Sequence, residues 1–151
     1  MNRSLLLTGL IALSVWAGTR AKDTTGAVPS AATDGVALRG VQACRVSARA
    51  LDGGTVNGGT LVAYYYDSAL GWVRSNTSLD CTLEANKGPS GAAPTAQVCP
   101  DTEVLAGFGR VAYAATGLVG ADGGTPNGIG VDGGANVEPV VRTECFGVDI
   151  P

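Results

Sequence analysis

Between Leu38 and Ala50 the chain alternates. Val46, Ala48 and Ala50 fall on one side, and Arg45, Ser47 and Arg49 on the other. A period of two sends successive side chains to opposite faces of an extended chain, so this stretch predicts a half-buried strand. The same period sets Leu79, Cys81 and Leu83 against Asp80, Thr82 and Glu84, and aligns Val111, Tyr113 and Ala115. Further strands are predicted in TLVAYYYD (60–67), WVR (72–74), AQVCPDTEVL (96–105) and VEPVVRTECFGVDI (137–150). Pro139 lacks an N–H and suggests that the last of these is an edge strand or opens at that residue. No stretch shows helical periodicity. The pattern predicts an all-β fold: one antiparallel β-sandwich of jelly-roll or Ig-like type, with seven or eight short strands, over residues 37–151.

The joints between these strands are rich in glycine, of which the chain has 23. Two are nearly the same. DGGTVNG runs from Asp52 to Gly58, and DGGTPNG from Asp122 to Gly128. A helix-loop-helix calcium loop needs oxygen ligands at alternate positions and a glutamate at its twelfth, which neither offers. A tandem repeat would extend into the flanks, and these do not match. Turn chemistry is the better reading: Asp-Gly and Asn-Gly accept the backbone conformations that reverse a strand.

The first 21 residues change the picture. One Arg precedes an apolar run from Leu5 to Gly18, followed by small residues. This is the layout of a secretory signal, with cleavage after Ala17 in VWA or after Ala21 in TRA. The other reading of 1–21 is a hydrophobic N-terminal arm. The run is short for a stable membrane span, which takes about 20 apolar residues. Residues 22–36 are small and polar and read as a linker or extended arm.

Four cysteines follow, without a C-x-x-C pair. That spacing disfavours zinc and dithiol redox chemistry. An even number after an export signal suggests two disulfides. Three pairings are possible, and one is favoured. Cys81 with Cys99 would close the Gly/Pro-rich loop between them, and Cys44 with Cys145 would tie the first strand to the last.

Candidate chemistry is sparse. The chain has no histidine, so histidine-dependent triads and histidine zinc sites are excluded. The net charge is -3 and the ten basic residues are scattered, Arg39, Arg45 and Arg49 being the densest group. A nucleic-acid partner is therefore not expected. Asp101, Glu103, Glu138 and Glu144 are the available acid–base groups, but a carboxylate pair needs a cleft that spacing does not reveal. We expect no catalytic residues, no metal and no cofactor. The sequon Asn76-Thr77-Ser78 would matter only in a eukaryotic secretory route. Tyr64, Tyr65 and Tyr66 form the densest aromatic run. In a strand Tyr64 and Tyr66 share a face, and with Trp72 they make a candidate contact platform for a sugar or a protein.

The blocks GGTLVAYYYDSALGWVRSNTSLD and GFGRVAYAATGL, within residues 58–118, resemble small β-sandwich structural proteins of tailed bacteriophages. GAVPSAATDGVALRGVQACRVS resembles their entry into the first strand. The resemblance implies a non-enzymatic subunit of a virion or other particle, such as a capsid decoration or tail-surface protein. Its partners would be proteins, copies of itself first, and its location the virion. The alternative expectation is a secreted or periplasmic β-sandwich binding module for a glycan or protein, with Tyr64, Tyr66 and Trp72 as its platform.

Overall fold

A computed structural model describes residues 16–50, 55–75, 79–85, 90–91, 94–116, 129–130, 136–137 and 139–149. These residues form an all-β fold in which two antiparallel sheets pack face to face. The first sheet contains β1 (Trp16–Thr24), β3 (Val41–Ala50), β7 (Ala96–Val98), β8 (Thr102–Glu103) and β12 (Pro139–Asp149). The second contains β2 (Val36–Ala37), β4 (Gly59–Asp67), β5 (Gly71–Arg74), β6 (Cys81–Leu83) and β9 (Arg110–Thr116). A small hairpin of β10 (Ile129–Gly130) and β11 (Asn136–Val137) interrupts the way from β9 to β12.

The first sheet runs β1-β12-β3, with β7 and β8 sharing the far edge of β3; the second runs β2-β9-β4, with β5 and β6 sharing the far edge of β4. Each shared edge is one strand broken by an irregularity. Ser47 faces Val98 but Cys44 faces Thr102, so one extra residue lies between β7 and β8, where Cys99, Pro100 and Asp101 sit. Pro100 has no N–H to place in a ladder, and the bulge relieves it of that need.

Between β5 and β6 the register shifts further: Arg74 faces Tyr64 and Cys81 faces Leu61. Asp80 fills the gap: its carboxylate accepts the Ala63 N–H at 3.1 Å, while the Ala63 carbonyl takes the Ser75 N–H at 2.8 Å. The sequon residues 76–78 lie outside the described residues.

The alternation seen in the sequence determines the core. Cys44, Val46, Ala48 and Ala50 of β3 are buried, and they meet Leu61, Ala63 and Tyr65 of β4 and Val111 and Tyr113 of β9. Val141 and Cys145 complete the layer from β12. Tyr65 and Tyr113 are the largest fully buried side chains, and Phe108 tilts against Tyr65 with ring centroids 5.1 Å apart. Two tyrosines thus supply bulk that the many alanines do not. Burial pushes both phenols above their usual range.

Three expectations change. The strands number twelve among the described residues, not seven or eight, because the stretch 96–105 is split into β7 and β8 and four strands lie where a loop, an arm or a linker was expected. Pro139 does open its strand, but β12 lies between β1 and β3 rather than at an edge. The sandwich also begins before residue 37. Residues 16–24 pair along their whole length with β12, and Val36 pairs with Val111.

The reason β1 escapes a hydrophobic pattern is its position. Its inward side chains face not the core but the neighbouring edge of the second sheet. Arg20 donates to the carbonyls of Ala37 and Arg39 at 3.2 and 2.7 Å, and Lys22 to that of Thr33 at 2.7 Å. Cations on main-chain carbonyls close this side of the sandwich where apolar residues would otherwise be needed.

Candidate functional site

The expected platform lies on the outer face of the second sheet. Tyr65 points into the core, so Tyr64 and Tyr66 point outward, both half-buried. Trp72 is the direct cross-strand partner of Tyr66, and their rings meet edge to face at 5.3 Å between centroids. Arg74 stands opposite Tyr64. The structure therefore brings all three platform residues together, with Arg110 as the partner of Tyr66 on its other flank. The turn that delivers Trp72 is local: the Asp67 carboxylate accepts the N–H groups of Ala69 and Leu70 at 2.7 and 2.9 Å, and Gly71 has φ 78°. That turn leaves Leu70 76% exposed beside the aromatic pair, which makes it the most exposed large apolar residue described.

Residues 25–35, read from the sequence as linker, instead form a strap over this face. Its two ends are fixed to β9: the Ala115 N–H donates to Gly26 O at 2.7 Å, and Arg110 donates to Gly35 O at 3.3 Å. Its middle reaches β5, where the Trp72 indole N–H donates to Ala31 O at 2.9 Å. Ala112 and Ala114, which alternation puts on the outer face, are buried. Small side chains there leave room for the strap.

Glycine is required at the strap's return. Gly35 has φ 79°, and a Cβ there would run into the Val111 carbonyl. The strap is also braced internally. The Asp34 carboxylate accepts the N–H groups of Ser30 and Ala31 at 2.9 and 2.8 Å, and these two bonds hold it below the usual carboxylate range. A recess of about 170 Å³ lies between the strap and β9, lined by Thr25, Pro29, Asp34 and Ala112 among others.

The four cysteines form two disulfides. Cys44 bonds Cys145 across directly paired positions of β3 and β12, within the core. Cys81 bonds Cys99 and links the split edge of the second sheet to that of the first. These are the two pairs favoured from the sequence. Gln97 reinforces the second link: its amide donates to Val56 O and Glu84 O at 2.9 and 3.0 Å and accepts the Glu84 N–H at 3.2 Å. A shallow groove of about 450 Å³ runs along this side, between β6 and β7.

The acid–base candidates do not converge. Asp101 is held by Arg45 through two bonds of 2.7 and 3.2 Å, and this partner lowers its carboxyl below the usual range. Glu103 is exposed on β8, Glu144 lies on β12 near Arg142 at 4.0 Å, and Glu138 is outside the described residues. Among the described residues no group of His, Cys, Asp and Glu could hold a metal ion, and no helix is long and apolar enough to cross a membrane. The second heptapeptide, 122–128, lies outside the described residues. The first is described from Thr55 on and ends at Gly58, where φ is 99°.

No protein-family model, no curated protein and no solved structure matches this chain.

Proposed function

We propose that the chain is a non-enzymatic module of an oxidising compartment, secreted or periplasmic, that docks a protein partner through the outer face of its second sheet. The two disulfides carry the first half of this reading. Such bonds persist outside the reducing cytoplasm, and one of them sits in the core, where free thiols would serve packing equally well. The outer face carries the second half. Tyr64, Tyr66, Trp72 and Arg74 lie on paired strands of that face, and Leu70, on the turn between those strands, is 76% exposed. Aromatic and arginine residues of this kind anchor protein interfaces.

The first partner to test is a second copy. Sedimentation of the wild-type chain at rising concentration should show a defined oligomer, and Leu70→Asp should return it to monomer at unchanged stability. A wild-type monomer that binds a glycan panel through Tyr66 would replace the protein partner with a sugar. A full-length chain with free thiols, recovered from assembled particles, would replace export with the virion subunit that the phage resemblance implies.

A further inference from the structure

We propose that the mature chain starts at Gly18, through cleavage of the Ala17–Gly18 bond during export; the inference rests on the export reading above. The sequence offers two sites of equal form. Val15-Trp16-Ala17 and Thr19-Arg20-Ala21 each end in alanine, with a residue of modest size two positions earlier. In an extended substrate those two positions face the same side, which is why a signal-removing peptidase reads them together. Sequence form alone does not choose between them. The fold does.

Cleavage after Ala21 would remove residues that the sandwich uses. Gly18, Thr19, Arg20 and Ala21 pair with Gly147, Phe146, Cys145 and Glu144. Their loss would leave Glu144–Asp149 of β12 as an unpaired edge beside the buried Cys44–Cys145 bond, an invitation to non-native strand pairing. It would also delete Arg20, and with it the two bonds that join β1 to the carbonyls of Ala37 and Arg39.

Cleavage after Ala17 gives up only the pairs of Trp16 with Asp149 and Ala17 with Val148. Downstream of Ala17 lie Arg20, Lys22 on Thr33 O, Asp23 with Arg142 at 3.2 Å, and the Thr24 hydroxyl on Val141 O at 3.4 Å, all of which this cleavage keeps. The strand from Gly18 to Thr24 alternates half-buried and exposed residues without a break, as a strand of the mature fold does. The step is a hydrolysis. The oxygen of water joins the Ala17 carbonyl carbon, the C–N bond breaks, and Gly18 leaves as an amine that takes up a proton.

The test is the N-terminal sequence and intact mass of the full chain after expression in a cell with an active export route. The expected protein begins Gly-Thr-Arg-Ala and has the mass of residues 18–151 with two disulfides. Ala21→Leu should leave that terminus unchanged, and Ala17→Leu should abolish it. A terminus at Lys22 would overturn the proposal while leaving export intact. A chain that keeps Met1 and its leader would overturn both.

Discussion

Gln97 is the clearest case of one side chain with several structural duties. It is buried on an edge strand, where a polar residue would ordinarily face water, and its amide serves three main-chain groups. Gln97→Leu would take the amide from the buried Val56 carbonyl and from the part-buried main-chain groups of Glu84. Each such loss costs about 1–3 kcal/mol before relaxation, so a net loss of about 2–4 kcal/mol is expected in urea unfolding. At the same scale, pH acts through named groups. Asp34 and Asp101 are held below their ordinary values in the folded chain, by the Ser30 and Ala31 N–H groups and by Arg45 respectively. The folded state therefore favours their ionised forms. That contribution is complete above about pH 4, where an unfolded Asp is ionised, and is lost as pH falls through the lowered folded values. Tyr65 and Tyr113 act in the opposite direction. Burial raises both, so their contribution is complete below about pH 10 and is lost as pH rises through the folded values. Thermal melts from pH 2 to 12 should fall at both ends. Asp34→Asn should reduce the acid slope, and Tyr113→Phe the alkaline one.

At the scale of elements, the strap and β1 show how polar segments become structure. Residues 25–35 have little to bury, yet carbonyls at Gly26, Ala31 and Gly35 each receive a donor from the sheet below. One bond ties the middle of the strap to β5. Trp72→Phe keeps the ring against Tyr66 but removes the indole N–H that Ala31 O accepts. We expect faster amide exchange at Ser30 and Ala31, with a global loss of only about 1 kcal/mol. A change confined to the strap would show that it is a separately yielding unit; unchanged exchange would mean that Asp34 and the Lys22 bond to Thr33 O suffice to hold it. The elements most legible in the sequence were those with two-sided contrast. β3 alternates cleanly because one of its faces meets the core and the other meets water. β9 is half-legible: Val111, Tyr113 and Ala115 were placed, but Ala112 and Ala114 are buried too, because the strap covers the face that alternation assigned to solvent. β1 gave no signal of its own, since its inward residues meet carbonyls rather than hydrocarbon.

For the whole molecule, each open side of the sandwich has its own closure. On one side Arg20 reaches from β1 to the edge of the second sheet, and Lys22 to the strap at Thr33 O. On the other, the Cys81–Cys99 bond and Gln97 join the two split edges. The remaining bond, Cys44–Cys145, spans 101 residues of sequence, against 18 for Cys81–Cys99. Loop-closure entropy makes the longer crosslink the more stabilising, by about 4–5 kcal/mol against about 3. The double replacement Cys44→Ala with Cys145→Ala should therefore lower stability more than Cys81→Ala with Cys99→Ala, as measured by guanidinium unfolding without reductant. The reverse order would mean that the link between the sheets, rather than chain entropy, dominates.

The sequence by itself determined the fold class and the inner faces, because alternation of period two reports burial wherever one face of a strand is dry. It also favoured both cysteine pairs and put Tyr64 and Tyr66 on one side. Tertiary structure alone decided what those features face. It showed that the outer aromatic face is shared with a strap, that β12 is internal, and that a stretch resembling a leader and linker supplies a strand. These facts depend on contacts between residues far apart in the chain. Such contacts place main-chain carbonyls beside particular donors, and main-chain carbonyls leave no mark in the order of side chains.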